Sequence, residues 1–206
     1  MKKMILSAVM LVFAASGYAQ ETGAAGAGER NEWLPTFEAV AVDADLDVKF
    51  VRVPDTEAPK IVYDTKGSYT TKFRAEVKDK ALRISEKPDS RRPDRTEVTV
   101  YYNALRAVSL SGAAATFVGT LDAAVLDVTV NRKASLTAKL DVKDLKMEQT
   151  GYSTANLSGS VRYLTLYVST GKVAASDLEV MSAEVNAQSK AEVSLWITCL
   201  LYTSPS

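Results

Sequence analysis

The chain contains no histidine and only one cysteine, Cys199, in 206 residues. Without histidine it lacks the usual proton shuttle at neutral pH, the Ser-His-Asp and Cys-His nucleophile systems, and the commonest zinc ligand. A single cysteine cannot close an intramolecular disulfide, so an exported chain of this kind relies on packing and hydrogen bonds. An excess of either charge is also missing, with 25 basic residues against 25 acidic ones. That balance supplies no basic face for nucleic acid. The apolar run Met4 to Ala15 is shorter than the roughly 20 residues a membrane helix needs.

That run instead has the layout of an export signal. Lys2 and Lys3 form a positive start, and Gly17-Tyr18-Ala19 offers a small-x-small cleavage site before Gln20. Cleavage there leaves 23 basic against 25 acidic residues, a formal charge of −2, with no membrane anchor expected to remain. The expected location is extracytoplasmic, in the periplasm or at the cell surface. Residues 1–19 are therefore read as a signal peptide and residues 20–32, rich in Gly and Ala, as a flexible linker. At the other end, Ile197 to Ser206 breaks the polar alternation before it and reads as a non-native tail containing Cys199.

What is present between these ends is strand. Phe37–Val42, Leu46–Val53, Lys60–Tyr63, Lys72–Val77, Ala81–Ile84 and Glu97–Tyr101 alternate or are rich in β-branched and aromatic residues. In the second half, short alternating stretches open at Leu126, Leu145, Leu164 and Met181, in steps of 19, 19 and 17 residues. Further apolar marks fall at Phe117, Leu136, Leu157 and Val193, and turn formers follow the strands at Gly112, Asn131, Gly151, Gly171 and Gln188-Ser189. One such repeat buries three or four side chains, worth roughly 5–10 kcal/mol. Ordering its backbone costs about 1–2 kcal/mol per residue. A repeat therefore folds only when stacked on its neighbours. The spacing predicts an all-β fold: a right-handed parallel β-helix with about 17–21 residues per coil over residues 33–196, with a β-sandwich as the alternative. Gln149 falls at an inward position and requires a partner.

The stretches Phe37-Glu-Ala-Val-Ala-Val42, Leu46-Asp-Val-Lys-Phe50 and Lys80-Ala-Leu-Arg-Ile84 are followed by Val98-Thr-Val100 and then by Leu105-Arg-Ala-Val108 leading into Ser111-Gly112. With the later repeats, this order over residues 33 to 196 resembles the putative auto-transporter adhesin, head GIN domain family of secreted bacterial proteins. The resemblance implies a parallel β-helix, an extracytoplasmic location and an adhesive role, and it brings no catalytic residues. Asn131-Arg132 stands where a Ser-Gly turn would recur.

Three groups of residues could carry function. Tyr163 and Tyr167, with Thr165 between them, share the outward face of one strand, where aromatics can stack on sugar rings or anchor a protein; equally, they can cover neighbouring coils. Asp43, Asp45 and Asp47 alternate on one face as calcium ligands would, but without a Gly-rich loop they fit a solvated strand, so no metal is assigned. Arg91, Arg92 and Arg95 sit in a charged two-proline loop, where they either meet an anionic glycan or lipid or are simply solvated.

The expectation is a secreted, non-enzymatic adhesin-like module that needs no cofactor and binds a surface glycan or protein. One alternative is an envelope structural module stacking end to end through solenoid ends. Another is a polysaccharide-active enzyme, although no carboxylate pair is marked for it.

Overall fold

A computed structural model describes residues 29–64, 72–87 and 94–203. The expected signal peptide, most of the expected linker, and Arg91 and Arg92 lie outside these residues. The strands are β1 (Glu29–Trp33), β2 (Ala39–Asp43), β3 (Asp47–Arg52), β4 (Lys60–Asp64), β5 (Phe73–Lys78), β6 (Ala81–Glu86), β7 (Glu97–Tyr102), β8 (Ala107–Ser111), β9 (Ala114–Asn131), β10 (Ser135–Gln149) and β11 (Thr154–Thr203). Among the described residues there is no helix. Strand β1 takes in Glu29 to Glu32, which the Gly/Ala-rich composition had assigned to the linker, and β11 runs on through Ile197 to Thr203.

The all-β expectation holds, but the closed parallel β-helix does not form. The strands make one curled, open, mixed sheet, in which β1–β4, β4–β7 and β5–β6 pair antiparallel. The strand order also departs from a solenoid, which lays each coil on the one before it. Here β2 lies between β6 and β8, and β3 between β7 and β9, so the first pass of the chain sits inside later ones. The β-sandwich alternative fails as well, because all eleven strands belong to a single sheet.

The repeat region does stack as its period requires. Strand β10 pairs parallel with β11 at an offset of nineteen residues, placing Ser135 beside Thr154 and Leu145 beside Leu164. On its other side β10 pairs parallel with β9, with Leu145 beside Leu126. The inward row is Leu126, Leu145, Leu164 and then Ala183, all buried, whereas Met181 is 47% exposed. The period thus stays at nineteen, and the apparent step of seventeen came from reading a large exposed Met as the repeat mark in place of a small buried Ala. Strand β11 bends back on itself, with Lys172 N donating to Ser153 O and Thr198 Oγ1 donating to Val180 O.

Gly112 (φ 85°), Arg132 (φ 59°), Gly151 (φ 68°) and Gly171 (φ 102°) form the successive corners, all with positive φ. Arg132 therefore takes a conformation that costs a residue with a Cβ about 1–2 kcal/mol. It also donates to Asp43 Oδ1 at 2.9 Å. Beside the Gly151 corner, Gln149 finds partners for its nitrogen alone: Nε2 donates to Ser153 O at 2.8 Å and to Lys172 O at 3.2 Å, while Oε1 is buried with no partner among the described residues. In the first half, aromatic rings fill the interior. Phe50 stacks on Phe117 at 4.6 Å between centroids, Tyr102 meets both edge-on, and Tyr63 stacks on Phe73 at 4.3 Å.

Candidate functional site

The alternation of β11 turns Leu164, Leu166 and Val168 inward and leaves Tyr163, Thr165 and Tyr167 on the outer face. Tyr163 is 53% exposed and Tyr167 41% exposed, with Thr165 half-buried between them. Parallel pairing sets these three beside Asp144, Lys146 and Glu148 of β10. Those in turn lie beside Val125, Asp127 and Thr129 of β9. The two tyrosines are four residues apart on a strand, about 13 Å at 3.3 Å per residue. They thus stand as separate aromatic platforms on one flat face, with acidic, basic and hydroxyl groups between them.

Beside Tyr167 the face dips into a concavity of about 410 Å³, bordered by Glu148, Thr150, Ser169, Asn186 and Gln188. Glu148, Tyr167 and Asn186 are spaced at the nineteen-residue period, so three consecutive passes contribute to one wall. Among the described residues the core is tightly filled around Val108, Leu126, Leu145 and Met147, where the gap amounts to about 10 Å³, at the lower limit for a single water.

The aspartate row and Arg95 come together instead of forming separate sites. Arg95 Nη1 donates to Asp47 Oδ1 at 2.8 Å, its Nη2 donates to Asp45 Oδ1, and Arg132 takes Asp43. Each of the three carboxylates thus faces a guanidinium, which leaves no open oxygen cage for calcium. Among the described residues no group of three or more acidic, Cys or His side chains is placed to hold a metal. Arg95 acts here as a strand-to-loop tie, while Arg91 and Arg92 lie outside the described residues.

The fold shifts the titration of Tyr63, Tyr102 and Glu38 in the first half of the chain. Burial pushes the Tyr63 hydroxyl up to about 12, helped by its 2.6 Å hydrogen bond to the Glu32 carboxylate. Burial likewise pushes Tyr102 up to about 12. The hydrogen bond from Lys80, followed by its charge, lowers exposed Glu38. None of these groups borders the tyrosine face.

Sequence reasoning missed two features. Asn186 and Gln188 join Tyr167 only through stacking; extending the period from Glu148 through Tyr167 would have found Asn186. The second feature is an aromatic row across three strands: Lys60 lies between exposed Trp33 and half-buried Tyr101, its Nζ 5.5 Å and 4.7 Å from the two ring centroids. Antiparallel pairing of β1, β4 and β7 creates that row, and no sequence spacing reveals it.

Known structures share this architecture. A putative adhesin from Bacteroides fragilis NCTC 9343 superposes with a TM-score of 0.68 at 13% identity, covering 85% of this chain and 96% of that one. A putative lipid binding protein from Parabacteroides distasonis ATCC 8503 gives 0.60 at 11% identity, covering 87% and 96%. A putative adhesin from Parabacteroides merdae ATCC 43184 gives 0.56 at 15% identity, covering 86% and 94%. At such identities the likeness establishes the fold alone. No curated protein matches the chain. The family model described as putative auto-transporter adhesin, head GIN domain, matches residues 36–203, which includes the corner at Arg132 and the last strand. The chain belongs to the putative auto-transporter adhesin, head GIN domain family.

Proposed function

We propose that this protein is an extracytoplasmic, non-enzymatic adhesin-like module that contacts a surface glycan or protein through the face carrying Tyr163, Thr165 and Tyr167. The observation that carries this reading is the pair of exposed tyrosines held on adjacent-strand scaffolding beside a polar concavity. Rings fixed on a sheet lose little freedom on binding, so their contact area is used efficiently. A pyranose can stack on a tyrosine while Glu148, Asn186 and the hydroxyls around it take its polar edge.

Family membership supports an adhesive role and a location outside the cytoplasm. The positive start, apolar run and cleavage motif at the N-terminus point to the same compartment. The lack of histidine speaks against Ser-His-Asp and Cys-His nucleophilic catalysis. One structural relative is named for lipid binding, but the gap of about 10 Å³ among the described core residues favours contact at the surface over enclosure of an acyl chain there.

The test is binding of the purified protein to immobilised mucin and surface glycans, beside a Tyr163→Ala/Tyr167→Ala variant. Saturable binding by the parent, lost in a still-folded variant, upholds the reading. Release of new reducing ends from polysaccharide would overturn its non-enzymatic part.

A further inference from the structure

A second groove lies at a different bend of the same passes. Its volume is about 620 Å³, within the range of roughly 300–1,000 Å³ typical of small-molecule sites. It crosses four consecutive passes: β9 near Gly119, β10 at Thr137–Lys139, and β11 at 156–158 and again at 174–177. Pairing sets Thr137 beside Thr116 and Asn156, and Lys139 beside Thr120 and Ser158.

The bend has a specific construction. The register between β9 and β10 shifts between Thr137 and Lys139. Gly119 has φ 81° and Gly159 φ 101°. At Gly159 the Leu140 carbonyl oxygen lies 2.1 Å from where a Cβ would stand, so the backbones meet there only because the residue is glycine.

The lining chemistry is uniform. Thr137, Lys139, Asn156, Ser158, Ser176 and Asp177 present polar side chains to the groove. None of these side chains makes a hydrogen bond or ion pair with another described residue. This contrasts with the Asp43, Asp45 and Asp47 row, where arginines occupy every carboxylate. Half-buried Ala174 places an apolar side chain among the polar groups of the groove, while Phe117, Ala138 and Leu157 reach it from the core, where they are buried. One Lys and one Asp leave the lining without net charge.

We infer that this groove binds a neutral, extended oligosaccharide lying across the strands. Successive passes repeat the polar rows about every 4.8 Å, so a chain laid across them meets the same pattern repeatedly. The unpaired hydroxyl, amide, ammonium and carboxylate side chains suit the hydroxyls of a sugar chain. A strongly charged chain would find no matching potential here. The site is independent of the tyrosine face, which lies on another side of the same passes.

The experiment is calorimetric titration of the full chain with chitin-, cello- and malto-oligosaccharides of increasing length, alongside a polyuronate oligosaccharide and an extended Gly/Ser peptide. The expected result is binding to one neutral series that tightens with length and then levels. Asn156→Ala/Ser176→Ala should weaken it at least tenfold, and Lys139→Ala, an exposed change that should not disturb folding, should weaken it measurably. Tyr163→Ala/Tyr167→Ala should leave it unchanged. Preference for the polyuronate or the peptide would overturn the inference, as would no binding to any neutral series. Loss in the tyrosine variant with none in the groove variants would also overturn it, while upholding the tyrosine-face reading.

Discussion

The Gln149 side-chain amide donates to the Ser153 carbonyl at 2.8 Å, tying the end of β10 to the corner that follows it. Its second bond, to Lys172 O, reaches the next pass, so one buried side chain fastens three stretches of backbone. Gln149→Ala removes this donor from the Ser153 carbonyl, which keeps its bond from Lys172 N, and from the part-buried Lys172 carbonyl. Stability should fall by about 0.5–1.5 kcal/mol, read as a lower urea midpoint. An unchanged midpoint would mean that the corner is held by its backbone bonds alone.

Gly159 and Gly119 should respond differently to substitution. Both have positive φ, which costs an alanine about 1–2 kcal/mol, and around Gly119 there is open space. At Gly159 a Cβ would meet the Leu140 carbonyl, so the chain must also move apart. Gly159→Ala is therefore expected to destabilise more than Gly119→Ala, measured as the difference in their denaturation midpoints. Equal losses would show that the bend yields easily.

Arg95 holds two of the three aspartates that a calcium site would use. Millimolar calcium should leave the thermal midpoint of the protein unchanged. Arg95→Ala should cost no more than about 1 kcal/mol, as expected of exposed ion pairs. A calcium-dependent rise in the parent's midpoint would contradict this arrangement.

Tyr63 and Tyr102 set an alkaline limit. Each ordinarily ionises near 10 and is raised to about 12 in the fold. Below about 10 both states keep the proton and stability does not depend on these groups. Between about 10 and 12 the unfolded chain releases protons that the folded chain retains, so stability falls as pH rises. Urea midpoints across that range should decline, and less steeply in Tyr63→Phe and Tyr102→Phe. Identical slopes in parent and variants would remove this cause.

The inward rows of the second half were legible in the sequence because Leu126, Leu145 and Leu164 are large and evenly spaced. Ala183 was not, since a small buried residue leaves almost no hydrophobic signal beside an exposed Met181. The placement of β2 and β3 between later strands was invisible because local alternation says which face a residue takes, not which strand lies beside it. The antiparallel pairs of the first half escaped for the same reason. Tyr163 and Tyr167 were legible as outward aromatics from alternation alone. Their neighbours Glu148 and Asn186, and the whole groove at the bend, depend on register between passes. A positive-φ corner at Arg132 could not be expected from its side chain, although its place in line with Gly112 and Gly151 hinted at one.

The most direct measurement of the proposed role is an equilibrium binding isotherm on mucin for three proteins: the parent, Tyr163→Ala/Tyr167→Ala, and Trp33→Ala as an exposed aromatic elsewhere on the sheet. The account predicts saturable binding by the parent and by Trp33→Ala, with at least a tenfold loss in the double tyrosine variant while its fold is intact. No binding by the parent would contradict it, as would equal binding by all three proteins.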